Sequence, residues 1–112
     1  SPRFEARLVE MHFGEWEGLA WDAIARDAFD AWAADLLHRA PPGGESAAML
    51  QARAVACLDA LAAEGISACI VVTHAGVFRA LAGHVQGLSV DDWVQLKFDY
   101  GQCTQLMWPS TG

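Results

Sequence analysis

ACIVVTHAGVFRAL, residues 68–81, passes from an unbroken apolar run into a histidine, two small residues and a helix-like pattern. Residues 68–73 are few and rich in β-branched side chains, which suits a strand covered on both faces, as in an α/β sheet. From about Gly76 to Val85 the pattern turns helical. His74 therefore stands where a buried strand ends and a helix begins. In open α/β sheets, ligands gather beyond the carboxyl ends of the strands. Ala75 and Gly76 permit close backbone approach. The first turn of the helix offers unpaired N–H groups and the positive end of its dipole, both of which favour an anion. A protonated imidazole there adds a charge-assisted hydrogen bond of about 1.5–3 kcal/mol. An imidazole that only caps the helix or bonds a loop carbonyl would occupy the same position. Position alone leaves both readings open.

The neighbouring polar residues read more simply. Arg79 lies one turn into the helix, and its stem suits covering surface better than serving a site. His84 and His38 fall near helix ends, where a cation complements the dipole.

Upstream, Trp21, Ile24, Ala25, Ala28, Trp32 and Leu36 recur at three- and four-residue steps, predicting an amphipathic helix over residues 19–38. PPGG at 41–44 stops it, since proline cannot continue a helix and glycine loosens the backbone. A second helix starts near Glu45 or Ser46, buries Leu50, Ala54, Cys57, Leu58 and Leu61, and ends at Gly65. Downstream, Val94, Leu96, Phe98 and Tyr100 alternate with Trp93, Gln95, Lys97 and Asp99, predicting a half-buried strand. Gly101 and Gln102 then predict a two-residue hairpin turn into residues 103–108. The result is a single α/β layer structure. Its sheet is too thin: a strand at 68–73 needs neighbours on both sides, so packing alone predicts a missing strand.

Composition bounds the function. The chain has 112 residues, 54% hydrophobic and 19% charged, enough for one domain with a real core. A formal net charge of −7 argues against general binding to nucleic acid or anionic membrane. No apolar stretch approaches the roughly 20 residues needed to cross a bilayer. Cys57, Cys69 and Cys103 are odd in number, widely spaced and set among apolar neighbours. They read as reduced core residues of a cytoplasmic protein, with neither a disulfide framework nor a zinc site. The chain opens SPRFEARL without methionine, which predicts a processed, trimmed or partial sequence.

The stretch RLVEMHFGEWEGLAW, residues 7–21, carries Glu10, Glu15 and Glu17. As bare pattern these three are equally well a solvated face. Glu10 follows an apolar pair, and a turn at Gly14 would fold it toward a cleft. A carboxyl beside bound phosphate holds its proton more tightly because of the like charge, which suits a proton donor.

Taken in order, LVEMHFGEWEGLAWDAI, then PPGGES with Arg53 downstream, then VVTHAGVFRAL resemble the histidine phosphatase superfamily, which includes phosphoglycerate mutases and small phosphatases. The match covers nearly the whole chain, and its strength lies in the order and spacing of the pieces. The forms FGEWEG and HAGVFRAL look most like the alpha-ribazole phosphatase branch, which acts late in cobalamin synthesis. The resemblance implies a phosphoglycerate mutase-like three-layer α/β/α sandwich. It also implies hydrolysis of a small phosphorylated metabolite through phosphohistidine, without cofactor or metal. By the same resemblance, His74 holds the phosphoryl group and Glu10 donates the proton to the leaving oxygen and then helps to activate water. Gly44, Glu45 and Ser46, with Ala75, are implied to lie at the substrate-binding pocket, the first three in a supporting role. Glu15, Trp16 and Glu17 match a recurrent segment to which no catalytic role attaches.

The departure from the family is larger than any of these matches. The family's nucleophile is the histidine of an arginine-histidine-glycine motif on the first strand. No such motif occurs in these 112 residues, nor does a counterpart of a second pocket arginine. The missing strand and the missing motif are one absence. Residues 1–112 are therefore expected to be the C-terminal portion of a single histidine phosphatase domain, lacking the first strand and following helices. On its own this portion is expected to be inactive, with unpaired strand edges that favour dimerisation. Three alternatives stand beside this reading. One is phosphoryl transfer of the mutase type. Another is a catalytically silent domain that binds a phosphorylated ligand or a protein partner. The last is a metal hydrolase built on Glu10, His12 and His74, for which no recurring ligand spacing speaks.

Overall fold

The computed structural model describes residues 3–99 and 101–109. Its helices are α1 (Arg26–Ala34), α2 (Ala47–Ala63), α3 (Ala75–Gln86) and the single turn α4 (Val90–Trp93). Short 3-10 turns lie at Ala6–Leu8, Gly14–Trp16 and Trp21–Ala23.

The pair α2 and α3 is the centre of the molecule. Ala54 and Cys57 on α2 and Val77 and Ala80 on α3 are fully buried. Side chains this small let two helix backbones approach closely. Leu50, Ala54, Val77 and Leu81 form one buried cluster, against which Leu8, Met11, Leu106 and Trp108 pack. Burial of a Leu or Val side chain contributes about 1.5–3 kcal/mol. A second cluster joins Ala47 and Ala80 to Trp93 of α4. Trp93 seats directly on Gly83, where any Cβ would collide with it.

Both ends of α2 follow the sequence. The Ser46 hydroxyl accepts the Met49 N–H at 3.2 Å, an ordinary N-cap. The Ala47 and Ala48 N–H groups donate to the Leu36 and Leu37 carbonyls at 3.2 and 2.9 Å. At the other end Gly65 adopts a left-handed φ of +84°, and the Ile66 N–H closes onto the Leu61 carbonyl.

The helix predicted over residues 19–38 is broken. Ile24 and Ala25 are extended between the 3-10 turn at Trp21–Ala23 and α1. This break buries Ile24 and lets Trp21 fold back, stacked on Trp32 at 6.1 Å and edge-on to Phe29 at 5.6 Å. α1 stops before Leu36, whose carbonyl is taken by the start of α2.

The predicted strands form no ladder among the described residues. Ile70 and Val72 are 95% and 91% exposed, while Val71 and Thr73 are half-buried. The second alternation survives in burial alone and only from Val94 onward, with Val94, Leu96 and Phe98 half-buried and Gln95, Lys97 and Asp99 exposed; Trp93, expected on the outer face, is instead buried in α4. Tyr100 lies outside the described residues. The chain does turn where the hairpin was expected, the Gln102 N–H bonding the Asp99 carbonyl at 3.1 Å. Alternation sets which side chains face inward; a ladder needs a second strand. The uncovered surface is sizeable. The chain exposes 7626 Å², against roughly 6,000 Å² for a compact domain of its 12.1 kDa mass.

The cysteine expectation holds for Cys57 alone, since Cys69 and Cys103 are exposed. Burial raises the Cys57 thiol above its ordinary pKa. The other two sit on the segments that lack a partner strand. No helix is long and apolar enough to cross a membrane among the described residues.

Candidate active site

The site is built on two interlocked loops. Glu15 N–H donates to the Pro42 carbonyl at 2.8 Å, and Glu45 N–H donates to the His12 carbonyl at 2.9 Å. Gly14 turns the first loop with φ +58°, pressed against the backbone of Pro42, Gly43 and Gly44. A side chain there would be both strained and obstructed.

Beneath the loops lies an ion pair that ties them to α2. The Arg53 guanidinium donates to both Glu45 carboxylate oxygens at 2.7 and 3.1 Å. Its remaining N–H groups reach the Arg7 carbonyl at 2.8 Å and the Glu10 carbonyl at 3.1 Å. Glu45 also accepts the His12 N–H at 2.9 Å. Burial opposes ionisation of Glu45, yet the Arg53 guanidinium and the His12 N–H together hold its carboxyl below the usual range. Glu45 and Ser46 are buried. Together with Gly44, which closes a turn onto the Pro41 carbonyl, they support the loop rather than line the cleft described next. The resemblance implies a supporting role for these three beside the substrate-binding pocket, and their placement under the loop is compatible with it.

Above this base, Glu10 spans to α3. One carboxylate oxygen accepts its neighbour Met11 N–H at 2.9 Å, and the other accepts the Gly76 N–H at 3.3 Å. A carboxylate on the first turn of a helix is favoured by the dipole and by the unpaired amides. A Cβ on Gly76 would collide with this carboxylate, so the glycine exists for close approach. The α3 amide expected to be open to an anion is therefore already engaged by Glu10.

His74 precedes α3 with extended backbone, and its ring makes no capping hydrogen bond. The structure thus sets aside the capping reading. Thr73 donates its hydroxyl to the Leu8 carbonyl at 2.7 Å, drawing the segment before His74 against the loop that carries Glu10. The two residues converge: Glu10, Thr73, His74 and Ala75 line one open cleft of about 520 Å³ with Phe78, Arg79, Phe98 and Asp99. The sequence reading undervalued Arg79. It is half-buried, donates from Nε to the Leu96 carbonyl at 2.6 Å, and brings a guanidinium to this wall. Its position about one turn after Ala75 and Gly76 was the available signal.

The cleft sets the Arg79 guanidinium and the His74 imidazole opposite the carboxyls of Glu10 and Asp99. A phosphate dianion needs more positive charge than these residues supply. His12 stands apart, exposed, with Nδ1 accepting the Gly14 N–H at 3.2 Å. Among the described residues no three His, Cys, Asp or Glu side chains gather closely enough to hold a metal ion.

The chain belongs to the histidine phosphatase superfamily (branch 1), whose family model matches residues 1–112. It is 34% identical over 100 residues to the glucosyl-3-phosphoglycerate phosphatase of Mycolicibacterium vanbaalenii, covering 80% of this chain and 44% of that protein. The same identity holds over 106 residues of the Mycobacterium tuberculosis H37Rv enzyme of that name, covering 84% and 47%. Among solved structures, mycobacterial glucosyl-3-phosphoglycerate phosphatase with inorganic phosphate superposes with a TM-score of 0.68 at 31% identity, over 85% of this chain and 51% of that one. The form of that enzyme complexed with VO3 gives 0.69 at 32%, with the same coverage. The chain is therefore of the phosphoglycerate mutase-like histidine phosphatase fold, matched over about half of those structures' length, while the described residues form no sheet and do not reproduce the three-layer sandwich. The chain spans about half the length of the curated relatives it matches. These relatives are glucosyl-3-phosphoglycerate phosphatases, a different branch from the alpha-ribazole phosphatases to which FGEWEG and HAGVFRAL had pointed.

Proposed function

We propose that residues 1–112 are the C-terminal portion of a histidine phosphatase domain that hydrolyses a small phosphorylated metabolite in the cytoplasm. The observation that carries this reading is the convergence of Glu10 and His74 on one cleft, with the Glu10 carboxylate held at the start of α3.

In the proposed reaction a nucleophilic imidazole supplied from outside these 112 residues attacks phosphorus. The P–O ester bond breaks, His74 steadies the transferring phosphoryl group, and protonated Glu10 gives its proton to the departing oxygen. Water then attacks the phosphohistidine while Glu10 takes the proton back, releasing phosphate and restoring the imidazole. The uncovered Ile70 and Val72 support the C-terminal assignment, since they offer an apolar face that a further layer of the domain would cover. Hydrolysis is favoured over mutase-type transfer because the cleft is open to water and the named relatives are phosphatases. Their names also favour a phosphorylated sugar-acid ester over alpha-ribazole phosphate as substrate.

The test uses the protein encoded by the complete gene. It is expected to release phosphate from an aryl phosphate between about pH 5 and 7, around the ordinary titration range of imidazole. His74→Ala and Glu10→Gln should each slow turnover by about 10²-fold or more. Full turnover in both variants would remove these residues from the reaction. Glucosyl-3-phosphoglycerate assayed beside alpha-ribazole phosphate separates the two substrate classes.

A further inference from the structure

Arg79 carries a charge that the described contacts leave uncompensated. Arg3, Arg7, Arg26 and Arg53 each pair with a carboxylate, and Arg39 is exposed. Arg79 is half-buried, and its one side-chain bond among the described residues goes to an uncharged group, the Leu96 carbonyl. A partly buried cation without an anion is costly. We propose that a non-bridging oxygen of the transferring phosphoryl group is that anion, which makes Arg79 a catalytic residue in contact with substrate. The proposal rests on the phosphatase reading and adds a residue to its reaction.

The place of Arg79 on α3 supports the contact. Gly76 and Arg79 are three positions apart and so share a face of the helix. The Glu10 carboxylate occupies the space into which a side chain at Gly76 would project, so it stands one turn from Arg79 on that face. Glu10 and Arg79 both line the cleft that holds His74, and both also line a second hollow of about 460 Å³. The acid and the guanidinium thus share one stretch of wall. A phosphoryl group steadied by His74 and within reach of Glu10 faces that stretch.

The guanidinium is also held in advance. Its Nε donates to the Leu96 carbonyl at 2.6 Å, and the adjacent Phe78 packs on Phe98 with ring centroids 4.5 Å apart. These contacts tie the segment from Leu96 to Phe98 onto α3 and orient the planar fork. The Nη groups make no hydrogen bond among the described residues. Donors set in place before charge develops need little reorganisation when the reaction occurs. A guanidinium fork also matches phosphoryl oxygens in both geometry and charge. Arg79 moves no proton in this role; it offsets negative charge while Glu10 handles the proton.

The experiment separates contact with phosphate from support of the Leu96 segment. Arg79→Gln places an amide nitrogen as far along the side chain as Nε, so the bond to Leu96 can persist while the charged fork is gone. In the complete protein, inorganic phosphate is titrated as a competitive inhibitor, and kcat/KM is measured for phenyl phosphate and methyl phosphate. Arg79→Gln should weaken phosphate inhibition by about tenfold to a hundredfold, the strength of one charge-assisted bond. It should lower kcat/KM for both esters by a common factor, because the lost contact is to the group they share. Arg79→Lys keeps the charge without the fork and should recover part of the loss. Wild-type phosphate inhibition in Arg79→Gln, or a loss confined to one ester, would overturn the assignment and leave the phosphatase reading standing. If circular dichroism shows that Arg79→Gln does not fold, Arg79→Lys decides. It should weaken phosphate and both esters together, and an unequal loss or none would overturn the assignment. Absence of both turnover and phosphate binding in wild type would overturn the phosphatase reading, and this inference with it.

Discussion

Replacing Arg53 should loosen the loop that carries Glu10 before it does anything else. The side chain makes two bonds to Glu45 and one each to the Arg7 and Glu10 carbonyls, all between 2.7 and 3.1 Å. The pair is largely buried, its side chains 21% and 11% exposed. Removing one partner of a buried pair costs about 3–5 kcal/mol, because the other charge is left without a counter-ion. Partial solvent access and the remaining His12 N–H bond to Glu45 place Arg53→Met at the lower end, about 3 kcal/mol. For a domain of this size 1 kcal/mol moves Tm by about 4–8 °C, so a fall of roughly 12 °C or more is expected in thermal unfolding followed by circular dichroism. Arg53→Lys keeps the charge but not the planar fork, and should fall between wild type and Arg53→Met. A shift smaller than about 3 °C for Arg53→Met, under 1 kcal/mol by the same conversion, would refute the claim that this network holds the loop.

Glu45 gives the network a pH dependence. Its carboxyl is more acidic folded than unfolded, so at acid pH the unfolded chain binds the additional proton. The stabilisation is complete above the ordinary carboxyl pKa and is lost as pH falls from there through the folded value. Denaturant titrations across that window should show a shallower acid decline for Glu45→Gln than for wild type, and parallel declines would count against the pairing. Gly76→Ala should leave the fold close to wild type, since alanine is the better helix former by about 1 kcal/mol. In the complete protein it should cost most of the turnover, because the new methyl displaces the Glu10 carboxylate; wild-type kcat would contradict the packing. Ile70→Lys with Val72→Lys should reduce self-association of residues 1–112 in light scattering, as charges blunt an exposed edge. Unchanged association would place the sticky surface elsewhere.

The parts of the fold that could be read from sequence are those specified locally. Ser46, the buried stripe from Leu50 to Cys57 and Gly65 mark α2 at both ends and along its face. α3 runs over Ala75–Gln86, within a residue of its expected limits. The predicted helix over residues 19–38 failed because its periodicity was genuine while its continuity depended on distant packing. Trp21 stacks on Trp32 and does not extend α1. The strands failed for a related reason: alternation decides facing, whereas pairing depends on a partner. In the site, Glu10 and His74 were legible through the order of motifs. Arg79 and the Arg53–Glu45 pair were not, because each acts through a contact 8 to 46 positions away in the chain.

The contact between Gly76 and Glu10 joins positions 66 residues apart, and so makes them one unit of inheritance. A lineage that acquired alanine at the later position would have to shorten or relocate the acidic side chain at the earlier one, and neither change would be tolerated alone. Aspartate paired with alanine should therefore be better than the sum of its two single substitutions, a coupling measurable in a double-mutant cycle.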